Sequence, residues 1–247
     1  MTETWLFPDW PVPPQVHAAV TTRSSPGQSR APYARCNLGL HSGEGVAIVQ
    51  ANRSAVHAAL QLPAAPLWLR QVHGTTVAHS GPRTAIEEPQ ADAAVTATPG
   101  TVLAILTADC LPALFCTLDG HAVAAAHAGW RGLAAGVLEA TLAALPGPAT
   151  QVLAWLGPCI GAASYEVGAE VRETFMARDP AADACFVATR PGHWQCDLAA
   201  LARQRLQAAG VRAVYGGGFD TYGDPRWYSY RRDGKHSGRF ASLIWRV

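Results

Sequence analysis

The chain has 247 residues, of which 49% are hydrophobic and 15% are charged, and its formal net charge is +1. This much apolar material can form a sizeable core, which excludes an intrinsically disordered protein. The near-neutral charge, without a run of Lys or Arg, excludes binding driven mainly by nucleic-acid phosphates.

The amino terminus, MTETWLFPDWP, carries Glu3 and Asp9 and lacks the basic region of a secretory signal peptide. The most apolar stretch, residues 101–118, is interrupted by Asp109 and Pro112, which argues against a membrane span. We therefore expect a cytoplasmic protein with no membrane partner. In that reducing compartment the six cysteines should be thiols, either buried or chemically used.

Short apolar runs predict strands along the whole chain. These runs are VHAAVTT (16–22), PLWLRQVH (66–73), TVLAILTA (101–108), AVAAAHA (122–128), QVLAWLG (151–157) and FASLIW (240–245). Helical periodicity predicts helices over 131–145, 167–177 and 197–210. In the last of these, Asp197 is the expected N-cap and Gly210 the expected end.

Helices separate these strands only intermittently, which favours an α+β fold over a regular alternation of strand and helix. Two polar segments, 21–45 and 81–90, are predicted to be loops. No linker or internal repeat divides the sequence. We predict one domain over residues 1–247, a layered α/β sandwich with mixed sheets.

Three predicted strands lead into a residue that can bind a metal or a proton, followed by a turn former. They are WLRQVHG with His73, VLAILTADCLP with Asp109 and Cys110, and VAAAHAGWRG with His127. Strand ends at one edge of a sheet can bring such side chains together. Two histidines and one cysteine form a known ligand set for catalytic zinc, which leaves a fourth position open for water or substrate. Asp109 could orient a histidine or accept a proton.

The same side chains also support a metal-free hypothesis. With Cys110 as the nucleophile, His127 as its base and a third polar group to orient the histidine, the site would be that of a thiol hydrolase. A single histidine or cysteine in a strand is more often structural than catalytic, so both hypotheses depend on the three residues coming together. Metal content distinguishes them.

Several further residues are candidates for binding a substrate. Arg131 in GWRGL begins a predicted helix, where a guanidinium and backbone N–H groups can hold an anion. Tyr230 and Arg231 in YSYRRDGKHSGR suit a planar polar ligand such as a nucleobase with phosphate, although an exposed hairpin has the same composition. The remaining candidates are Arg23 in TTRSS, Asn37 in RCNLGLH and Gln71 in QVHG.

Five motifs together resemble the laccase-domain family, also called the YfiH or peptidoglycan editing factor family. The motifs are QVHG, TADCLPALF, HAGWRG, WLGPCIG and YSYRRDGKHSGRFASLIW, and the resemblance runs from about Ala19 to the carboxyl terminus. It implies a layered α/β domain, related in fold to a bacterial toxin with a Cys/His site. It also implies that His73, Cys110 and His127 are metal ligands, with Zn²⁺ as the cofactor and Cu²⁺ as the alternative.

The resemblance further implies an enzyme of purine nucleosides. The expected reactions are phosphorolysis of adenosine, inosine, guanosine and methylthioadenosine, and deamination of adenosine. As partners we therefore expect nucleosides and phosphate, with the protein a monomer or a small homo-oligomer. In this hypothesis Arg131 and Arg23 hold phosphate, Tyr230 and Arg231 hold the nucleoside, and Asp109 handles protons.

Other functions remain open at this point. One is a Cys/His amide hydrolase that edits peptidoglycan precursors, and another is a metal-dependent binding protein without catalysis. A copper polyphenol oxidase is least favoured, because the chain has no HxH pair of the kind that multicopper oxidases use. Family members also often carry a Cys-Thr pair where this sequence has Asp220 and Thr221, which weakens any role for a second cysteine.

Overall fold

The computed structural model of the chain describes residues 4–79 and 88–247, so most of the predicted loop 81–90 lies outside the described residues. The strands are β1 (Trp5–Leu6), β2 (Val16–Thr21), β3 (Val77–His79), β4 (Ala93–Thr96), β5 (Val102–Thr107), β6 (Leu111–Thr117), β7 (Val123–Ala128), β8 (Val152–Leu156), β9 (Glu166–Gly168), β10 (Phe186–Arg190), β11 (His193–Cys196), β12 (Ala213–Gly216) and β13 (Phe240–Arg246). The α-helices are α1 (Val46–Ala59), α2 (Trp130–Ala135), α3 (Val137–Ala144), α4 (Ala169–Met176), α5 (Leu198–Ala208) and α6 (Tyr230–Asp233). Among the described helices, none has the length and apolar character needed to cross a membrane.

The strands form three sheets. One has the order β1-β2-β13-β5 and is antiparallel throughout. A second has the order β12-β8-β6-β7-β4-β3, with parallel pairs at its two edges and antiparallel pairs between them. The third is the small antiparallel sheet β10-β11-β9. The predicted α+β fold with mixed sheets is confirmed.

Alternating side chains join the two larger sheets into layers. Along β5, Leu103 and Ile105 pack in the core between the two sheets, while Val102 and Ala104 pack with Val56 of α1 on the outer face. On the far side of the six-stranded sheet, leucines of α3 and α5 cover its second face. This period of two is what a strand buried on both faces requires.

Most of the predicted elements are confirmed. The strands predicted at 16–22, 101–108, 122–128, 151–157 and 240–245 appear as β2, β5, β7, β8 and β13, with ends that differ by at most one residue. The helices predicted at 167–177 and 197–210 appear as α4 and α5. The Asp197 side chain caps α5 by accepting a hydrogen bond from the Ala200 N–H at 2.8 Å.

The single helix predicted over 131–145 is wrong. Gly136, with a φ of +104°, ends α2 and precedes α3. Glycine adopts this left-handed conformation without a steric penalty, and it is the usual residue just beyond a helix end. The apolar periodicity continues across the break, which is why the pattern alone predicts one helix.

The strand predicted over 66–73 is also wrong. This segment makes only isolated bridges, at Leu67 and Arg70. At its end, the side-chain amide of Gln71 takes the place of a strand: it donates to the Leu106 carbonyl at 2.7 Å and accepts from the Leu106 N–H at 2.9 Å. The Gln71 side chain therefore makes the hydrogen bonds to Leu106 of β5 that a neighbouring strand was expected to make.

Candidate metal centre and its cleft

Cys110 lies where the chain passes from one large sheet to the other. β5 belongs to the four-stranded sheet and β6 to the six-stranded sheet, and only residues 108–110 connect them. Asp109 makes this tight crossing with a φ of +91°, a conformation that is uncommon for a residue other than glycine. The crossing places Cys110 at the edge of the core between the sheets.

His127 is the next-to-last residue of β7. Along this strand Val123 and Ala125 face the core between the sheets, and Ala124 and Ala126 face the helices. Since side chains alternate along a strand, His127 is on the same face as Val123 and Ala125. It is 3% exposed, so its imidazole enters the site from within the sheet.

His73 reaches the same point from a turn. Its φ is +61°, and the turn precedes β3 on the outer edge of the six-stranded sheet. The three residues thus come together from a turn, a crossing and a strand. The expectation of strand ends is wrong for His73, which follows no strand, whereas Cys110 lies between β5 and β6 and His127 lies one residue from the end of β7. The convergence of the three residues is confirmed.

One ligand atom from each of His73, Cys110 and His127 lies within 4.8 Å of the other two. The Cys110 Sγ is 3.7 Å from the His73 Nε2. The two imidazole rings are 4.7 Å apart between centroids and meet edge to face. Among the described residues this is the one group of three or more His, Cys, Asp or Glu side chains that could hold a metal ion.

Gly129 gives this cluster its space. A Cβ atom at this position would lie 2.8 Å from the His73 Cδ2 and 2.9 Å from the Cys110 Sγ. The φ of Gly129 is −64°, so its backbone suits any residue, and it is the lack of a side chain that matters here. A glycine is needed at this position of HAGWRG because any side chain would clash with His73 and Cys110, two of the three candidate ligands.

Asp92 is a residue of the site that no motif in the sequence indicates. Its side chain is fully buried, and its Oδ1 accepts a hydrogen bond from the His127 Nδ1 at 2.9 Å. It also accepts hydrogen bonds from the backbone N–H groups of Val72, His73 and Gly74. Burial raises the pKa of Asp92, but the hydrogen bonds from His127 and the backbone outweigh burial and lower it.

Cys110 and His127 shift each other's ionisation in opposite directions. Burial raises the pKa of the Cys110 thiol, but the charge and hydrogen bonding of His127 and His73 lower it to about 6. Burial lowers the pKa of His127, but the charge of Cys110 and the hydrogen bond to Asp92 raise it to about 9. Each charge therefore stabilises the other: a thiolate at Cys110 favours an imidazolium at His127, and the imidazolium favours the thiolate.

The cluster lies in a cleft of about 420 Å³. Its apolar lining includes Leu40, Leu69, Leu106, Ile160 and the aromatic rings of Tyr165 and Tyr230. Its polar lining includes His41, Gln71, Glu88, Asp109, Arg231 and Arg239. A cleft with apolar walls and a few convergent polar groups is typical of a small-molecule site.

The Asp109 carboxylate is already held by protein groups. Its Oδ1 accepts from the Thr221 hydroxyl at 2.6 Å, and its Oδ2 accepts from the Arg231 N–H at 2.6 Å. Asp109 thus ties the crossing that carries Cys110 to the first turn of α6. Thr221 follows Asp220, whose carboxylate accepts from the Gly161 N–H and the Ser164 hydroxyl. At this position the aspartate anchors a loop.

The six substrate-binding candidates from the sequence divide into two groups. Gln71, Tyr230 and Arg231 line the cleft. Arg23, Asn37 and Arg131 are not among its described lining residues: Arg23 pairs with Asp233 at 3.8 Å, and Arg131 stacks on the ring of Trp130.

Asn37 is fully buried in the segment 21–45, which after Thr21, the last residue of β2, has no helix or strand, as predicted. Its Oδ1 accepts from the Gly39 and Arg239 N–H groups, and its Nδ2 donates to Ser42 and Glu44. Gly39 and Ser42 line the cleft. Asn37 does not line the cleft itself, but its hydrogen bonds hold Gly39 and Ser42, which do.

Arg239 is a second residue of the cleft to which the sequence analysis gave no role. Its Nη1 donates to the carbonyls of Ser237 and Gly238, and its guanidinium lies 5.8 Å from the centre of the Tyr230 ring. Burial lowers the pKa of Arg239, while the negative charges of Cys110 and Asp109 oppose this shift. Its Nη2 and Nε make no hydrogen bond to the described part of the chain, which leaves them for a ligand.

The donor set fits a zinc ion. Zinc sites commonly combine imidazole nitrogen with thiolate sulfur, and the low pKa of Cys110 favours the thiolate that such a site needs. The His127 Nδ1 faces a carboxylate, which is the common way to leave the other ring nitrogen for a metal. His73, Cys110 and His127 are therefore suited to hold a metal.

Comparison with known proteins gives one consistent result. Residues 17–247 match the family described as multi-copper polyphenol oxidoreductase laccase. A purine nucleoside phosphorylase of Pseudomonas aeruginosa is 51% identical over 243 residues, which cover 98% of each chain. The purine nucleoside phosphorylase YfiH of Escherichia coli is 48% identical over 244 residues, again 98% of each chain. A crystal structure of a Neisseria meningitidis protein superposes with a TM-score of 0.93, at 44% identity and 99% coverage of both chains.

Proposed function

We propose a function for this chain from the premise that it belongs to the family described as multi-copper polyphenol oxidoreductase laccase. In this proposal the protein is a zinc-dependent purine nucleoside phosphorylase that also deaminates adenosine. The observation that carries the proposal is a Cys–His–His cluster facing two arginines within one cleft. The relatives named as purine nucleoside phosphorylases support the substrate class. We place this activity in the cytoplasm.

His73, Cys110 and His127 would hold the zinc. When bound, zinc acts as a Lewis acid and lowers the pKa of water. One ion with these three ligands needs no second metal, and the donor set does not require copper. The proposal therefore departs from the copper chemistry in the family description.

In phosphorolysis, an oxygen of phosphate forms a bond to C1′ of the nucleoside as the C1′–N9 bond breaks. The purine leaves with the bonding electrons and takes up a proton. The guanidinium groups of Arg231 and Arg239 hold the charge of phosphate, because planar guanidinium groups match its oxygens. The Tyr230 ring packs against the nucleoside. Arg239 replaces Arg23 and Arg131 as a phosphate ligand, since those two do not line the cleft. Arg231 takes a phosphate role in place of the nucleoside role expected from the sequence, and Tyr230 keeps its role with the nucleoside.

In deamination, a water oxygen adds at C6 of adenosine, the C6–N bond breaks and ammonia leaves. In this proposal Asp109 moves the proton from water toward the leaving nitrogen, and its position in the cleft beside Cys110 supports the role. Its bonds to Thr221 and to the Arg231 N–H fix its orientation. The proposed nucleoside substrates are adenosine, inosine, guanosine and methylthioadenosine.

The test is metal analysis of the wild type beside Cys110→Ala, with each protein assayed on adenosine plus phosphate. We expect stoichiometric zinc in the wild type, with adenine, ribose 1-phosphate and inosine as products. We expect loss of both zinc and products in Cys110→Ala. Cys185→Ala is the matched control, because Cys185 is also half-buried but does not line the cleft. Retained zinc in Cys110→Ala would refute the ligand assignment.

One observation favours a second function. Cys110, His127 and Asp92 have the order of nucleophile, base and orienting acid, and the thiol has a lowered pKa. This arrangement suits an amide hydrolase that acts on a peptidoglycan precursor. Such an enzyme would cleave a muropeptide after complete chelation of the metal, whereas phosphorolysis would stop.

A further inference from the structure

We propose that Asp92 is the positioning residue of the metal centre, and that its one carboxylate fixes both histidine ligands. This inference rests on the proposed function, because it concerns the metal that His73, Cys110 and His127 would hold. Asp92 does not face the cleft, so it acts through the histidines. The carboxylate has two tasks, and Oδ1 takes part in both.

The first task is to set the tautomer of His127. Asp92 Oδ1 lies 2.9 Å from the His127 Nδ1, and a carboxylate accepts but does not donate. The hydrogen of the neutral imidazole is therefore on Nδ1, which leaves Nε2 free to bind the metal. The Asp92 carbonyl also accepts from the His127 backbone N–H at 2.7 Å, so ring and backbone are held by the same residue.

The second task is to hold the turn that carries His73. Oδ1 accepts from the His73 N–H at 2.9 Å. Oδ2 accepts from the Val72 N–H at 3.1 Å and from the Gly74 N–H at 2.7 Å. These three bonds hold a turn in which His73 has positive φ, a conformation that persists only when its surroundings impose it.

An amide in place of this carboxylate cannot perform both tasks. If its NH₂ group takes the place of Oδ2, a donor faces the N–H groups of Val72 and Gly74, which are donors too. Those two hydrogen bonds are lost and the turn opens. If instead it takes the place of Oδ1, it opposes the His73 N–H and donates to the His127 Nδ1. The ring hydrogen then moves to Nε2, where the metal should bind. Asp92→Asn thus damages one histidine ligand in either orientation while it keeps the volume of the side chain.

The experiment compares zinc affinity in the wild type, Asp92→Asn and Asp220→Asn by competition with a chromophoric chelator. Asp220 is the matched control, since its carboxylate also accepts hydrogen bonds from backbone N–H groups and from a side chain but contacts no candidate ligand. We expect Asp92→Asn to weaken zinc binding about 10- to 100-fold. Asp220→Asn should bind zinc like the wild type.

A second measurement does not need a folded variant. In metal-free wild-type protein with ¹⁵N-labelled histidine, two-bond ¹H–¹⁵N correlations at a pH where the ring is neutral should show the His127 hydrogen on Nδ1. A neutral ring with its hydrogen on Nε2 would overturn the inference. So would unchanged zinc affinity in Asp92→Asn, or equal losses in both variants. If the wild type binds no zinc, the proposed function fails, and the tautomer still decides what Asp92 does.

Discussion

The two walls of the cleft are built in different ways. The ligand wall consists of His73, Cys110 and His127 with Asp92 behind them, and Asp92 and His127 are 0% and 3% exposed. The arginine wall consists of Tyr230, Arg231 and Arg239, and Tyr230 is 53% exposed. The ligand wall is fixed by sheet pairing and buried hydrogen bonds, as a metal site requires. The arginine wall comes from a short helix and the approach to β13, where side chains can adapt to a substrate.

One residue joins the two walls. Asp109 lies in the crossing that carries Cys110, and its carboxylate accepts from the Arg231 N–H. The arginine wall is thus positioned in part through the Arg231 backbone. The guanidinium groups make hydrogen bonds to backbone carbonyls, through Nη1 in Arg239 and through Nη1 and Nη2 in Arg231. From this difference we expect substitutions in the ligand wall to remove the metal, and substitutions in the arginine wall to change KM for phosphate while the metal stays.

Gly129→Ala should have the largest effect, although it removes no ligand. The new Cβ would lie under 3 Å from atoms of His73 and Cys110, so at least one ligand must move. We expect zinc affinity to fall about 100-fold, the upper end of what changes around a metal site produce. Phosphorolysis should fall with it when zinc is limiting, as measured by chelator competition and a base-release assay.

Gly218→Ala is the control for this substitution. A Cβ at Gly218 meets no atom within 4 Å, and its φ is not in the left-handed region. Gly218→Ala adds the same methyl group at a position where it contacts no neighbouring atom. Zinc affinity in Gly129→Ala equal to that in Gly218→Ala would show that the ligand wall is not rigid.

Selective alkylation of Cys110 is the next largest effect, and it tests the charge of the ligand wall. The pKa of Cys110 is lowered to about 6, whereas burial raises the pKa of Cys36 and of Cys116 to about 12. The thiolate is the reactive form, and a lowered thiol pKa keeps it present down to the folded-state value. In metal-free protein, iodoacetamide should therefore modify Cys110 first, with a rate that is level above about pH 7.

Below that plateau the rate should fall through a midpoint near pH 6, because protonation removes the thiolate. Peptide mass spectrometry identifies the modified cysteine, and added zinc should protect it. A midpoint near 8.5, the ordinary value for cysteine, would contradict the charge pairing with His127.

The sequence predicted the ligand wall better than the arginine wall. His73, Cys110 and His127 each stand out as a reactive residue between an apolar run and a turn former, and the structure brings them together. Asp92 has no such signal. It lies in QADAAVT, 35 residues from His127, and only the pairing of β4 with β7 brings the two together.

Arg23, Asn37 and Arg131 show the opposite problem. Each lies in a loop or a helix start where a ligand contact is plausible, but tertiary contacts decide where the side chain points.

The fold also has an element that the sequence did not predict. Helix α1 was not predicted, because only Val49, Asn52 and Val56 are buried along its 14 residues. Apolar residues such as Val46 and Ile48 are exposed on the same helix, so its sequence does not show which face is buried.

Arg239→Gln tests the arginine wall at its more buried member. Loss of a charge-assisted hydrogen bond costs about 1.5–3 kcal/mol, which is about a 10- to 100-fold change in affinity. We expect KM for phosphate to rise by that factor with zinc content unchanged. Arg246→Gln is the matched control, since Arg246 also donates to backbone carbonyls, those of Gly120 and Ala97, but does not line the cleft. Loss of zinc in Arg239→Gln would contradict the separation of the two walls.

Arg231→Ala should have the smallest effect. The Arg231 side chain is exposed, its Nη1 and Nη2 reach the Glu166 carbonyl only at 3.3 Å, and the Arg231 N–H that Asp109 uses survives the substitution. An exposed charge contributes about 0.2–1 kcal/mol, so KM for phosphate should rise by a factor of about 1.4 to 5. In the double variant with Arg239→Gln, the two effects should multiply if each guanidinium binds phosphate separately. A loss from Arg231→Ala larger than that from Arg239→Gln would reverse their order, and the exposed arginine would then be the main phosphate ligand.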